Sequence, residues 1–343
     1  MADTETAAKG HKSPSSAGSP APAGNPHGPI LVAEDDNLTD DAASDRAPSL
    51  ASSTASLTSS IQESRMENGR TYHRYMEGKY LFPNDEREND RLDLQHNLYL
   101  LTLDYRLGLA PPNDGNSGVK RVLDVGTGTG LWAIEFAEEH PEAEVIGVDL
   151  SPVQTTFIPP NCRFEIDDIE QPWSYTQPFD YIHIRGMTSS ISDWPDFFKK
   201  MYNGLAPGGY IELFEGHAHT QSDDGSLTPD HAWSKCWDLL SKSSEILGRP
   251  FVHVPSLAPM LEEAGFVDVA IVPYKWPIGP WAKDPHYKLL GEWAHRNAAE
   301  GLEAWLMAAL TRALEWTSEE VQVMLVDVRK DLNNRNIHHY CPL

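Results

Sequence analysis

The run Val122-Leu123-Asp124-Val125-Gly126-Thr127-Gly128-Thr129-Gly130-Leu131 constrains the fold of this chain more than any other. An apolar strand enters a turn with glycine at every second position and leaves it as a helix. Glycine permits backbone angles closed to other residues, and it lets a ligand approach main-chain N–H groups with no Cβ in the way. The spacing predicts a strand over Val119–Val125 and a helix over Leu131–Glu139, stopped before Pro141. Two phosphate-binding readings fail. A dinucleotide loop G-x-G-x-x-G needs glycine where Leu131 stands, and a Walker loop needs a lysine that is missing. What remains is a loop for a cofactor without phosphates.

Downstream, strands and helices alternate, which predicts parallel βαβ units and a doubly wound, mostly parallel α/β sheet. Strands are expected over Val145–Asp149, Arg163–Ile166, Tyr181–Ile184, Tyr210–Phe214 and Val267–Val272. Helices are expected over Asp196–Gly204, which leads into a Pro207-Gly208-Gly209 turn, and over Leu257–Ala264. The chain from 285 to 332 reads as mainly helical. Before the sheet, Leu92–Leu107 carries Leu94, Leu98, Leu101 and Tyr105 on one helical face. Residues 1–60, rich in Ala, Ser, Pro, Gly and Asp, lack the apolar content to offset chain entropy and read as a disordered tail. The organisation expected is therefore that tail, a helical segment over 61–118, and one domain over 119–343 with a helical cap in 276–335.

Acidic residues stand at the ends of the second and third strands. Asp149 lies about twenty residues beyond the loop, where a carboxylate can accept two hydrogen bonds from a ribose diol. Asp168 can accept an adenine amino group while the neighbouring Ile169 N–H serves a ring nitrogen. Asp168 is preferred to Asp167 because it lies further past the strand end. Any of these acids taken singly can be a helix cap. Taken in order at successive strand ends, they match the place where open α/β sheets gather ligands.

From Val119 to Glu215 the chain resembles the class I S-adenosylmethionine (SAM)-dependent methyltransferases, through the Asp124-to-Gly130 loop, Asp149, Asp168, Phe179-Asp180 and Leu205-Ala206-Pro207-Gly208-Gly209. Over Tyr72–Asp93, with His73-Arg74-Tyr75 and Tyr80-Leu81-Phe82-Pro83-Asn84-Asp85-Glu86, it is similar to the fungal LaeA-like branch, as it is at Asp284-Pro285 to Gly291 and Thr317–Val321. The resemblance implies SAM as cofactor, with Asp124, Gly126, Thr127, Gly128 and Gly130 around its methionine portion. It also implies a final strand after a His-Tyr pair such as His339-Tyr340, which is expected to be shortened or missing here.

Methyl transfer from a sulfonium is an in-line displacement, so positioning can supply much of the catalysis, and a hydroxyl acceptor can also need a base. The candidates are His183 and Arg185 after the fourth strand, and Glu215, His217 and His219 after the fifth. Each has a plainer reading: His183 as a core histidine, Arg185 as the partner of an acid such as Asp193. His217 and His219 lack a third ligand at metal spacing, so no metal is expected. Trp276, Trp281, Trp293, Trp305, Tyr274 and Tyr287 suit either a pocket for a flat acceptor or the core of the cap.

The formal net charge of -24 argues against direct binding to nucleic acid or anionic membrane, although a basic protein partner fits it. Cys162, Cys236 and Cys341 are far apart and suggest neither a disulfide framework nor a thiolate metal site. With no apolar run of membrane-spanning length, a cytoplasmic protein is expected, nuclear if it is a regulator. Three functions follow: a methyltransferase acting on a small secondary metabolite; a LaeA-type nuclear regulator acting with velvet proteins; or a SAM-binding interaction protein without turnover. The absence of a basic localisation cluster tilts the sequence toward the first.

Overall fold

The computed structural model describes residues 64–343, so the tail expected over 1–60 lies outside the described residues. A hairpin of β1 (Ser64–Glu67) and β2 (Arg70–His73) leads to α1 (Glu86–Thr102). Asp85 caps α1 by accepting from Glu88 N, and the same carboxylate is gripped by Arg70. The helix is shorter at its C-terminal end than expected. Leu98 and Leu101 face the core, but Asp104 and Tyr105 take left-handed backbone angles past the helix end, leaving Tyr105 exposed.

The central sheet has five parallel strands in the order β5-β4-β3-β6-β7: β3 (Arg121–Val125), β4 (Glu144–Asp149), β5 (Cys162–Ile166), β6 (Phe179–Arg185) and β7 (Leu205–Phe214). Alternation along each strand divides the core between the two faces. Val122, Val145 and Tyr181 pack under α2 (Leu131–Glu139) with Trp132 and Phe136. Leu123, Val125, Ile146, Ile182 and Ile184 pack on the other face with α3 (Trp194–Gly204) and α5 (Leu257–Ala264). Burial on both faces explains why these strands read as apolar runs. The order reverses direction between β3 and β6, and a crevice opens at such a switch point beyond the strand ends.

The Pro207-Gly208-Gly209 turn is instead an irregularity inside β7. The register shifts between the pairs Phe179–Leu205 and Tyr181–Tyr210, with Gly208 at φ +83°. The strand expected over Val267–Val272 does not form. Val267, Ile271 and Val272 are exposed, and β-propensity without a neighbouring strand to complete the ladder leaves the segment irregular.

The cap is built from α4 (Ala232–Ile246), α6 (Pro285–Ala313) and α7 (Ser318–Leu332), with α6 lying against α1, α4 and α7. Its core holds Trp233, Trp276, Leu290, Leu302, Leu306, Leu310, Val321 and Leu325. The final strand is present in short form. Residues Tyr340–Pro342 (β9) pair antiparallel with Lys275–Pro277 (β8), outside the five-stranded sheet. Among the described residues no helix is long and apolar enough to cross a membrane.

Candidate active site

The loop after β3 is set by its own side chains. Thr127 Oγ1 donates to Asp124 Oδ2 at 2.5 Å, and Asp124 Oδ1 meets His183 Nδ1 at 2.7 Å. Gly126, Gly128 and Gly130 all take positive φ, which only glycine adopts without strain. Close packing adds a second constraint at two of them: a Cβ at Gly130 would lie 2.4 Å from Phe164, and one at Gly126 would lie 2.5 Å from Met187 Sδ.

Asp149 ends β4 and closes the loop from the other side. Its Oδ2 accepts from Gly128 N and its Oδ1 from Ser151 N, both at 2.9 Å. Burial raises its pKa, partly opposed by those N–H groups. Asp168 lies past β5, where Lys79 pairs with it. Burial works against its charge, but Lys79 and the Glu170 N–H hold its pKa below the ordinary value. Asp167 receives the Asp168 N–H, and the Ile169 carbonyl accepts from Trp173.

A cavity of about 290 Å³ joins these groups and runs from the glycine turn into the cap. Gly126, Thr127, Gly128, Asp149, Asp168 and Ile169 line one half. Trp233, Trp237, Leu240, Phe251, Trp276 and Trp305 line the other. Asp124 and Gly130 stand behind the loop, and their roles are to shape it. The cradle fits SAM: a glycine turn lets a ligand approach the backbone with no Cβ in the way, the half-buried carboxylate of Asp149 at the end of the second strand suits a ribose diol, and the carboxylate of Asp168 lies beyond. When bound, SAM supplies an electrophilic methyl group on a sulfonium.

The candidate catalytic groups separate. Arg185 and His217 line the cavity; His183 does not. The His183 ring is buried, stacked on Trp132 with centroids 3.7 Å apart, and tied to Asp124. Burial lowers its pKa despite the carboxylate beside it. Arg185 meets not Asp193, which caps α3, but His96 Nδ1 at 3.0 Å and the Tyr99 ring. His217 has its pKa lowered by burial and by His253. His219 is exposed and pairs with Asp238 at 3.0 Å. Among the described residues no cluster of His, Cys, Asp or Glu could hold a metal ion. Glu215 is buried and accepts from Met187 N with both oxygens at 2.9 Å.

Several lining residues went unread in the sequence. Leu92, Gln95 and His96 reach the cavity from α1, and Lys79, Tyr80 and Phe82 from the segment before it. Trp233 and Trp237, four apart on α4, carried the same aromatic signal as Trp276 and Trp305. Trp281, Trp293, Tyr274 and Tyr287 are not among the lining residues.

Residues 94–271 match the family model described as a methyltransferase domain. Over 273 residues the chain is 42% identical to the methyltransferase pytC of Aspergillus terreus, covering 79% of this chain and 83% of pytC. It is 38% identical over 279 residues to the secondary metabolism regulator LAE1 of Cochliobolus heterostrophus, with 80% and 91% of the two chains covered. It is also 34% identical over 278 residues to the protein-methionine methyltransferase laeA of Emericella nidulans, covering 80% and 73%. With identity at this level across four fifths of its length, and a glycine cradle at the switch point of a parallel sheet, the chain belongs to the LaeA-like class I methyltransferases and uses SAM as its cofactor.

Proposed function

We propose that this protein methylates a small, flat secondary metabolite as a step in its biosynthesis. The continuity of the cavity carries this reading: the cofactor half opens directly into an aromatic half roofed by α4 and α6. Aromatic walls bind planar ligands through area and ring geometry. Asp149, Asp168 and the Ile169 N–H hold the adenosyl portion, and the glycine turn holds the methionine portion. His217 is the general base where the acceptor is a hydroxyl, since its lowered pKa keeps it neutral at pH 7. Arg185 lies at the same mouth. His183 acts through Asp124 as a positioning residue.

A strain lacking the gene should accumulate one unmethylated compound, which the purified protein converts with labelled SAM. The second reading, a LaeA-type nuclear regulator working with velvet proteins, is favoured by the similarity to LAE1 and laeA. It expects transcripts of several unrelated pathways to fall together in that strain, with no precursor accumulating. The chain division inferred from composition carries its own check. Removing residues 1–60 leaves cofactor affinity unchanged if residues 61–343 make up the binding unit.

A further inference from the structure

Three cationic side chains line the cavity, and two of them are saturated. Lys79 is paired with Asp168 and lies 3.5 Å from Glu170. Arg91 donates to both oxygens of Glu88, to Gln95 Oε1 and to Asn297 Oδ1, the last at 2.6 Å. Arg185 differs. Among the described residues it has no carboxylate partner. Of the five N–H donors of a guanidinium, one is paired among the described residues, with His96 Nδ1 at 3.0 Å, and the other ring nitrogen of His96 meets Glu135 at 3.0 Å. One face of the guanidinium is covered by Tyr99, with the ring centroid at 4.4 Å. Burial lowers the pKa of Arg185, only partly opposed by the Tyr99 phenol and by the carboxylates of Asp124 and Glu135, neither of which is in contact with it.

A half-buried cation that faces a cavity with no carboxylate in contact costs free energy, and a ligand that supplies the anion recovers it. The place of Arg185 selects the ligand. Tyr99 packs on Trp276 at 4.9 Å and on Phe214 at 4.7 Å, so Arg185 stands where the cofactor half meets the aromatic half. We propose that the methyl acceptor is a planar organic acid whose carboxylate is held by the guanidinium of Arg185, with its ring among the cap tryptophans. This rests on the reading of the aromatic half as the acceptor site, and it names the acceptor's chemical class.

The reaction balances without a further reactant. A hydroxyl oxygen of the acceptor, distinct from the carboxylate on Arg185, forms the new bond to the methyl carbon while its proton passes to His217 and the carbon–sulfur bond breaks, the electron pair returning to sulfur. The carboxylate keeps its charge on Arg185 throughout, and the positive charge lost by the sulfonium passes to His217 with the proton. The bidentate geometry open to a guanidinium and a carboxylate fixes the ring's orientation as well as its charge.

The test measures binding of 2-naphthoate and of its neutral counterpart 2-naphthamide to the full chain saturated with S-adenosylhomocysteine. The acid is expected to bind at least tenfold tighter, R185M to abolish that preference, and R185K to retain part of it. In R185M the affinity for S-adenosylhomocysteine itself should stay within about twofold. Equal affinities for acid and amide, or binding of neither, overturns the proposal. So does a parallel loss of S-adenosylhomocysteine affinity in R185M, because Arg185 would then hold the cofactor's own carboxylate. Failure of the native protein to bind S-adenosylhomocysteine at all would instead strike the methyltransferase reading, so the two failures are distinct. Should R185M not fold, the comparison of acid and amide on the native protein still decides.

Discussion

His183 Nδ1 sits 2.7 Å from Asp124 Oδ1, pairing two residues that are direct neighbours across β3 and β6. The other oxygen of Asp124 holds Thr127 Oγ1, so the imidazole, the carboxylate and the glycine turn form one connected unit. A base acting on an acceptor must reach it, and this ring is sealed against Trp132.

The two histidines should therefore fail differently. H217A should lower kcat by roughly 100-fold with an oxygen acceptor, and should remove the acidic limb of the pH–rate profile. H183A should mainly raise the KM for SAM, with a cost of about 1–2 kcal/mol from loosening the Asp124 carboxylate. Steady-state kinetics on both variants separates the roles. An H183A enzyme with unchanged KM and a collapsed kcat would contradict this assignment.

Asp149 anchors the loop, and in the proposed site it also faces the ribose. D149A should weaken SAM binding by roughly 1.5–3 kcal/mol by calorimetry, since a buried acceptor of several hydrogen bonds is lost. D149N keeps an oxygen for the Gly128 and Ser151 N–H groups. It should restore thermal stability more fully than it restores affinity, because the diol loses a charged acceptor.

The glycines are not equivalent. At Gly130 a Cβ meets the ring of Phe164, while at Gly126 it meets the flexible end of Met187. Both positions have positive φ, at +87° and +68°. G130A should cost about 2–4 kcal/mol from backbone strain plus ring displacement, and G126A about 1–2 kcal/mol. Denaturant unfolding measures the order; a G126A variant less stable than G130A would show that Met187 cannot move.

Glu215 makes stability depend on pH. Burial pushes its carboxyl up to about 8, against the Met187 and Thr188 N–H groups. Between about pH 4.5 and 8 the folded chain holds a proton that the unfolded chain has released, so this group's stabilising contribution is complete below that window and is lost as pH rises through it. The slope at full difference is about 1.4 kcal/mol per pH unit. Melting temperature should fall across this range for the native protein and change less in E215Q. A parallel fall in E215Q would assign the dependence to other groups.

Local chemistry made the cofactor half legible. Strand, glycine turn and helix follow one another within ten residues, and the acids close successive parallel strands, so periodicity alone places them at one sheet edge. The same reasoning failed where a partner strand decides the outcome: Val267–Val272 carries the apolar alternation of a strand but pairs with none among the described residues, and Pro207-Gly208-Gly209 resolves into a bulge once β7 takes its register from β6. The acceptor half depended on tertiary structure throughout. Helical and strand periods tell which face is buried but not which residues from distant elements meet there, so Tyr99, Arg185, Trp233 and Trp276 come together only when α1, β6, α4 and β8 pack around one cavity. Whether a histidine is sealed in the core or open to a ligand was decided the same way. His183 lies within β6 and His217 just past β7; Trp132 and Asp124 seal the first ring in the core, while the second opens on the cavity.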